Sequence, residues 1–304
     1  MLYYTHVKDG NFGDDLNPWL WARLAPEINS DRSPTLFVCI GSLLSDKVPA
    51  GPAKVVFGSG FAYGRPARLD SRWYIYAVRG PRTAATLGLD PALALADPAI
   101  LVRCAGLPGV ETKFPVSFMP HHQSFWYADW QALCLRAGIH CIDARAGVDH
   151  VLQEIRQTRL LLTESMHGAI VADALRVPWV AVRLYGQFSE LKWRDWAESL
   201  RLPLRICDVP PIFERSWSSP VGWLHATKKT VAAFGLGKEK WKKYPLRASG
   251  ESAVARTLEQ LRSLARGQEA CMSDAQQLRN VESRLYERLQ EVRGDWRRGL
   301  FRSR

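Results

Sequence analysis

The chain has 304 residues, 47% of them hydrophobic and 11% aromatic, enough to bury two medium-sized cores. No apolar run approaches the roughly 18 residues of a membrane span, and the opening Met-Leu-Tyr-Tyr-Thr-His lacks the basic and apolar regions of a signal peptide. The net charge of +11 is uneven, because residues 225–304 carry 18 Lys and Arg against 9 Asp and Glu, leaving 23 against 21 for the rest.

Such a basic tail suits a solvated helical face, nucleic acid or an anionic membrane surface. The six cysteines (39, 104, 134, 141, 207, 271) are scattered without a Cys-x-x-Cys pair. They read as free thiols of a reducing cytosol rather than a disulfide framework or zinc site.

Tyr3 to His6 reads as a first strand. The Gly-, Asn- and Asp-rich stretch from Lys8 to Pro18 reads as a loop before a helix, Trp19 to Leu24. Asp14 and Asp15 could bind sugar hydroxyls or act as acid or base there, or one of them could cap the helix. Strands Thr35 to Ile40 and Lys54 to Phe57 end in Gly41-Ser42 and Gly58-Ser59-Gly60, small residues suited to a ligand crossing the edge of a parallel sheet. Position 63 is Tyr, so Gly-x-Gly-x-x-Gly is not completed and no dinucleotide site is expected. Trp73 to Val78, a fourth strand, runs into Arg79-Gly80-Pro81-Arg82-Thr83, with Pro81 at the first helical position. Arg79 and Arg82 could grip a carboxylate or phosphate bidentately, or one could be structural.

Residues 103–113, with Gly106, Pro108 and Gly109, read as a linker. The alternation then repeats. Strand Phe114 to Pro120 ends in His121-His122-Gln123, followed by helix Phe125 to Ala137, strand Ile139 to Ile142 and helix Val148 to Arg159. Strand Leu160 to Leu162 leads through Thr163-Glu164-Ser165 into a helix, with His167 in its first turn. Free N–H groups and the dipole favour an anion at such a helix start, although His167 could also be a simple cap and Gly168 a packing residue. Strand Trp179 to Arg183 and an amphipathic helix within Gln187 to Leu200, carrying Lys192, complete the pattern. This alternation predicts an α/β fold of two doubly wound, Rossmann-like domains facing a cleft, 1–108 and 112–205. A basic, largely helical tail, 206–304, follows. No metal is expected at His121-His122, which lacks a Cys or carboxylate at ligand spacing.

In the tail, Lys238 to Tyr244 mixes cations with aromatics as at a membrane interface. Residues 251–298 look helical, and the stripe Leu258, Leu261, Leu264, Leu278, Val281, Leu285, Leu289, Val292 packs on the body or pairs with a second copy as a homo-oligomer.

Taken together, Asn11-Phe-Gly-Asp-Asp15, Gly58-Ser-Gly60, Arg79-Gly80, Asp97-Pro98-Ala99 and Ser165-Met-His167-Gly168 resemble the polysaccharide pyruvyl transferase family over roughly residues 1 to 200. The resemblance implies a GT-B-like fold and transfer of ketal pyruvate from phosphoenolpyruvate to two hydroxyls of a hexose. It also implies an acceptor carried as a lipid-diphosphate-linked exopolysaccharide unit, and a cytoplasmic enzyme, peripheral at the inner membrane face. No cofactor beyond that co-substrate, no metal and no nucleic acid is expected. On this reading Asp14, Asp15 and His167 are catalytic. Arg79, Gly80, Arg82, Ser165, Gly168, Arg183 and Lys192 bind the donor, and Asn11, Gly13, Asn17, Gly58, Ser59, Gly60 and His121 bind the acceptor. Many family members have Arg-Leu-His-Gly where this chain has Ser165-Met166-His167-Gly168, so Arg79, Arg82, Arg183 or Lys192 must supply that charge. Two other readings stay open: a nucleotide-sugar glycosyltransferase of the same architecture, and a nucleic-acid-binding protein driven by the tail.

Overall fold

A computed structural model describes residues 1–214 and 248–301. Two parallel sheets organise it. In the first, β1 (Leu2–Tyr3), β2 (Leu36–Val38), β3 (Lys54–Ser59) and β4 (Trp73–Val78) lie in chain order. In the second, β5 (Phe114–Met119), β6 (His140–Cys141), β7 (Thr158–Thr163), β8 (Trp179–Arg183) and β9 (Ile206–Asp208) take the order β6-β5-β7-β8-β9. β2 and β3 are buried along their whole length, which is why they read as unbroken apolar runs.

The second sheet reverses direction at β5, so a crevice opens at the carboxyl ends of β5 and β7. The first sheet has no reversal, and double winding is therefore confined to the second. The physical reason lies in the connections. Helices α1 (Phe12–Leu24) and α2 (Pro26–Asn29) join β1 to β2, but residues 39–53 and 60–72, rich in Gly, Pro and Ser, form no helix to cross the other face.

Helix α1, the 3₁₀ helix Pro98–Ala105, α5 (Val148–Arg156) and α6 (Met166–Ala174) fill the space between the sheets. One core runs through them, from Phe12 and Leu16 through Ile100 to Ile155, Ile170 and Leu161. Trp21 of α1 meets Phe37 and Phe57 edge-on at 5.3 and 5.7 Å, fixing α1 on the first sheet. Two shorter helices sit outside: α3 (Pro81–Leu87), ended by Gly88 at φ 63, and α4 (Trp130–Ala137), capped by Asp129 and ended by Gly138 at φ 70.

Helix α1 begins well before Trp19. Asn11 is its N-cap, and the Asp15 carboxylate accepts the Asn11 N–H at 3.0 Å. Pro18 sits inside the helix and cannot donate to the Asp14 carbonyl. Asn17 Nδ2 donates to that carbonyl instead, at 3.1 Å. The other departures are smaller. β1 stops at Tyr3, and a 3₁₀ turn, His122–Trp126, precedes α4.

The helical stretch 251–298 is two helices, α8 (Glu251–Leu264) and α9 (Ala275–Arg297), parted at Gly267 with φ 78. Its apolar stripe packs on the body. Leu258, Leu261 and Leu264 join the core under α4, while Leu278, Val281, Leu285, Leu289 and Val292 join the main core. Asp173 accepts the Ser273 N–H at 2.7 Å, and Thr35 Oγ1 donates to the Phe301 carbonyl at 3.0 Å, returning the chain to the first sheet. Lys238 to Tyr244 lies outside the described residues. Among those described, no helix is long and apolar enough to cross a membrane.

Candidate active site

A cleft of about 670 Å³ opens where the carboxyl ends of the two sheets converge. Thr5, Gly41–Leu43 and Tyr63 line it from the first sheet; His121–Gln123, Glu164–His167 and Gly186–Ser189 line it from the second. Helix α7 (Glu190–Ser199) adds Lys192 and Trp193, and the start of α1 adds Asn11 and Asp14. Three helix N-termini thus line one cavity, those of α1, α6 and α7. Ser165 caps α6, its Oγ accepting the Gly168 N–H at 3.3 Å.

Asn11, Asp14, His121, Ser165, His167 and Lys192 are brought together as expected. The Asp14 carboxylate accepts from Asn11 Nδ2 at 2.6 Å. Burial raises its pKa, while the Asn11 hydrogen bond, His167 and Lys192 pull the other way. Among the described residues Lys192 is the one Lys or Arg lining the cleft, and it forms no ion pair with any of them. Its Nζ stands 5.1 Å over the Tyr63 ring, across the cleft mouth.

The three arginines lie elsewhere, each neutralised. Arg79 is fully buried, with Nε 3.0 Å from Asp195 Oδ2 and Nη1 2.8 Å from Ser42 Oγ. Arg82 is bidentate to Glu198 on the surface, and Arg183 pairs with Asp208 and Glu190. Asp15 caps α1 and does not line the cleft. Asn17 holds β2 by bonding both the N–H and the carbonyl of Ile40.

Gly58, Ser59 and Gly60 form a scaffold behind the cleft. Ser59 Oγ and the Gly60 N–H both donate to the Gly41 carbonyl, at 3.0 and 2.9 Å, which sets the turn that presents Ser42. Four glycines permit close approach: a Cβ on Gly60 would overlap the Arg79 guanidinium, on Gly80 the Asp195 backbone, on Gly168 the Met119 sulfur, and on Gly13 the His167 ring.

Glu164 was not singled out by sequence reasoning, because Thr-Glu-Ser reads as an ordinary strand exit. It is buried at the switch point and accepts from Ser124 Oγ at 2.6 Å and from the N–H groups of His121 and Leu184 at 3.2 Å each. It thereby joins the carboxyl ends of β5, β7 and β8. Burial outweighs these bonds and pushes its carboxyl up to about 7. Beside it, burial and the charge of Lys192 lower His122 to about 4 and hold His121 well below the ordinary imidazole value. Both rings are neutral near pH 7, their centroids 4.2 Å apart. Among the described residues no group of three or more His, Cys, Asp or Glu could hold a metal ion. Tyr63, too, has no motif to mark it.

A cleft at a switch point, lined by helix starts and by a lysine that is unpaired among the described residues, with a histidine beside a carboxyl, is a site suited to an anionic group. The chain belongs to the polysaccharide pyruvyl transferase family, whose profile matches residues 5–184. It is 43% identical over 214 residues to the succinoglycan biosynthesis protein ExoV of Rhizobium meliloti (strain 1021), covering 68% of this chain and 67% of that one. No solved structure matches the chain.

Proposed function

We propose that this enzyme transfers pyruvate from phosphoenolpyruvate to two hydroxyls of a hexose in a lipid-diphosphate-linked exopolysaccharide unit, forming a cyclic ketal. The observation that carries this reading is Lys192, unpaired among the described residues, facing the α6 start and His167 in one cleft. A donor with both a carboxylate and a phosphate needs such a cation, and the pairing of Arg79, Arg82 and Arg183 leaves Lys192 to supply it. The two sheets meeting at their carboxyl edges support a GT-B-like arrangement.

The chemistry follows from the donor. His167, protonated, delivers a proton to the methylene carbon, making C2 electrophilic. Asp14 orients one hydroxyl and takes its proton as the oxygen attacks C2. The second hydroxyl attacks the same carbon as the C2–O bond to phosphate breaks. Of the two hydroxyl protons, one replaces that spent on the methyl group and the other leaves with inorganic phosphate. Positioned acid–base groups contribute roughly 100- to 10,000-fold each. Burial suits Asp14 to the role of base, because its raised pKa makes it a better proton acceptor. Tyr63, half-exposed at the mouth, and the partly buried Phe188, stacked on the buried Trp193, offer apolar faces to a sugar ring.

Thermal unfolding with phosphoenolpyruvate, then with UDP- and GDP-sugars, tests the reading. Saturation at about 100 Kd adds roughly 2.7 kcal/mol to the stability of the folded state. Phosphoenolpyruvate should raise the melting temperature of the wild type and not of Lys192→Ala. A rise with nucleotide sugars alone would assign the cleft to glycosyl transfer instead. The membrane part of the proposal rests on the cations of Lys238 to Tyr244. Neutralising Lys238, Lys240, Lys242 and Lys243 should weaken sedimentation with anionic vesicles, and unchanged sedimentation would remove it.

A further inference from the structure

Asp97 follows the first sheet and opens the 3₁₀ helix Pro98–Ala105. Its side chain is fully buried. Oδ1 accepts the Ala99 N–H at 3.0 Å, an ordinary cap. Oδ2 is different. It is buried, and among the described residues it has no hydrogen bond and no Lys or Arg pairs with it. Ring nitrogen Nε2 of His167 stands 3.4 Å away, and among the described residues it too is buried without a hydrogen bond. Two buried polar atoms, each lacking a partner, face one another.

A buried carboxylate oxygen left unpaired is costly, and so is a buried ring nitrogen. A small turn of the ring that aims Nε2–H at Oδ2 would satisfy both. The hydrogen bond made by one nitrogen of an imidazole decides which nitrogen carries the proton in the neutral ring.

We propose that Asp97 is a positioning residue: it holds a proton on Nε2 of His167, so that Nδ1 is the nitrogen that gives and takes the transferred proton. Nδ1 lies on the other side of the ring, against Gly13 at the start of α1. The Nε2 proton stays with the Asp97 pair throughout. The proton that leaves Nδ1 for the methylene carbon is replaced on Nδ1 by one from an acceptor hydroxyl. The assignment explains why separate motifs converge here. Gly13 leaves room for the ring. Gly58, at φ 77, lets β3 pass the Asp97 turn, since a Cβ there would strike Pro98 and the Ala96 carbonyl. Ser165 caps the helix that carries His167.

The part concerning catalysis rests on the proposed pyruvyl transfer; the part concerning the proton does not. Long-range proton–nitrogen spectra of ¹⁵N-histidine-labelled protein, at a pH that leaves the ring neutral, report the tautomer directly. His167→Gln assigns the signal by its loss. The wild type should show the Nε2–H form, and an Nδ1–H form would overturn the proposal without any further variant. Asp97→Asn keeps the Ala99 cap and turns an amide toward Nε2, so the Nδ1–H form should appear. An unchanged Nε2–H form in a folded Asp97→Asn would overturn the role of Asp97. In turnover, Asp97→Asn should lower kcat by about 100-fold or more while leaving KM for the donor nearly unchanged. A flipped tautomer with full kcat would overturn the choice of Nδ1. Wild type that shows the Nε2–H form yet transfers no pyruvate would sink the function and leave the Asp97 pairing intact.

Discussion

Arg79, at the end of β4, is locked to Asp195 of α7 at 3.0 Å, and the two side chains are 0% and 1% exposed. The same carboxylate accepts the Thr83 N–H at 2.9 Å and the Thr83 hydroxyl at 2.6 Å, so it caps α3 as well. The pair fastens the first sheet to α7, the helix that carries Lys192. Removing one partner leaves the other charge buried alone. Arg79→Ala and Asp195→Ala should each lose about 3–5 kcal/mol of stability in urea unfolding. Joint replacement by apolar residues of similar volume should lose less than the two single changes added together. A loss below about 1 kcal/mol from either single change would mean that the pair is not needed to join the halves.

Adjacent aspartates have separate duties. Asp14 lines the cleft, while Asp15 accepts the Asn11 N–H outside it. Asp14→Asn should cut turnover by roughly 100-fold or more with little change in stability. Asp15→Ala should lose roughly 1 kcal/mol of stability and keep turnover. Equal losses of turnover in the two variants would contradict this division.

Gly13 is helical, and its backbone would accept alanine, which favours a helix by up to about 1 kcal/mol. Its Cβ, however, would overlap the His167 ring. Gly13→Ala should therefore fold and lose activity, by displacing the imidazole. Melting temperature and kcat, measured side by side, decide it; a variant with wild-type turnover would show that the ring is not held against α1.

The Glu164 carboxyl, pushed up to about 7, carries a pH signature. Between its ordinary 4.5 and about 7, the unfolded chain gives up a proton that the folded chain keeps. Its contribution to stability therefore falls as pH rises through that window, and is level above it. The loss is at most about 3 kcal/mol. His121 and His122 act oppositely: stability falls as pH drops below their ordinary 6.5, since only the unfolded rings take protons. Asp14, also raised, adds to the Glu164 trend. The comparison is thus wild type against Glu164→Gln, in urea midpoints from about pH 5 to about 8. From the acid end to neutrality the variant's stability should rise more with pH than the wild type's, and parallel curves would place Glu164 among ordinary carboxyls.

Strands Trp73–Val78 and Trp179–Arg183 and the Ser165-capped helix α6 were legible directly, since apolar runs, turn residues and caps act over a few positions. Helix α1 was misread at its start. Gly, Asn, Asp and Pro spell a loop by composition, and only the Asn17 side chain, replacing the bond that Pro18 cannot make, keeps the turn helical. His167 and Asp14 stand out in the sequence because strand ends and helix starts are where ligands meet open α/β sheets, whereas Lys192 is there only one of four alternative cations.

What the sequence determined by itself was the alternation of strands and helices and the edge at which a ligand would bind, because both follow from local periodicity and capping. What only the tertiary structure decided was which charges are free. Arg79 and Lys192 carry equal charges, and nothing within a few residues of either distinguishes them. Arg79 meets a carboxylate 116 positions away and is spent on structure, while Lys192 meets none among the described residues and faces the cleft. A charge acts on what lies within a few ångströms of it, and that neighbourhood exists only once the chain has folded.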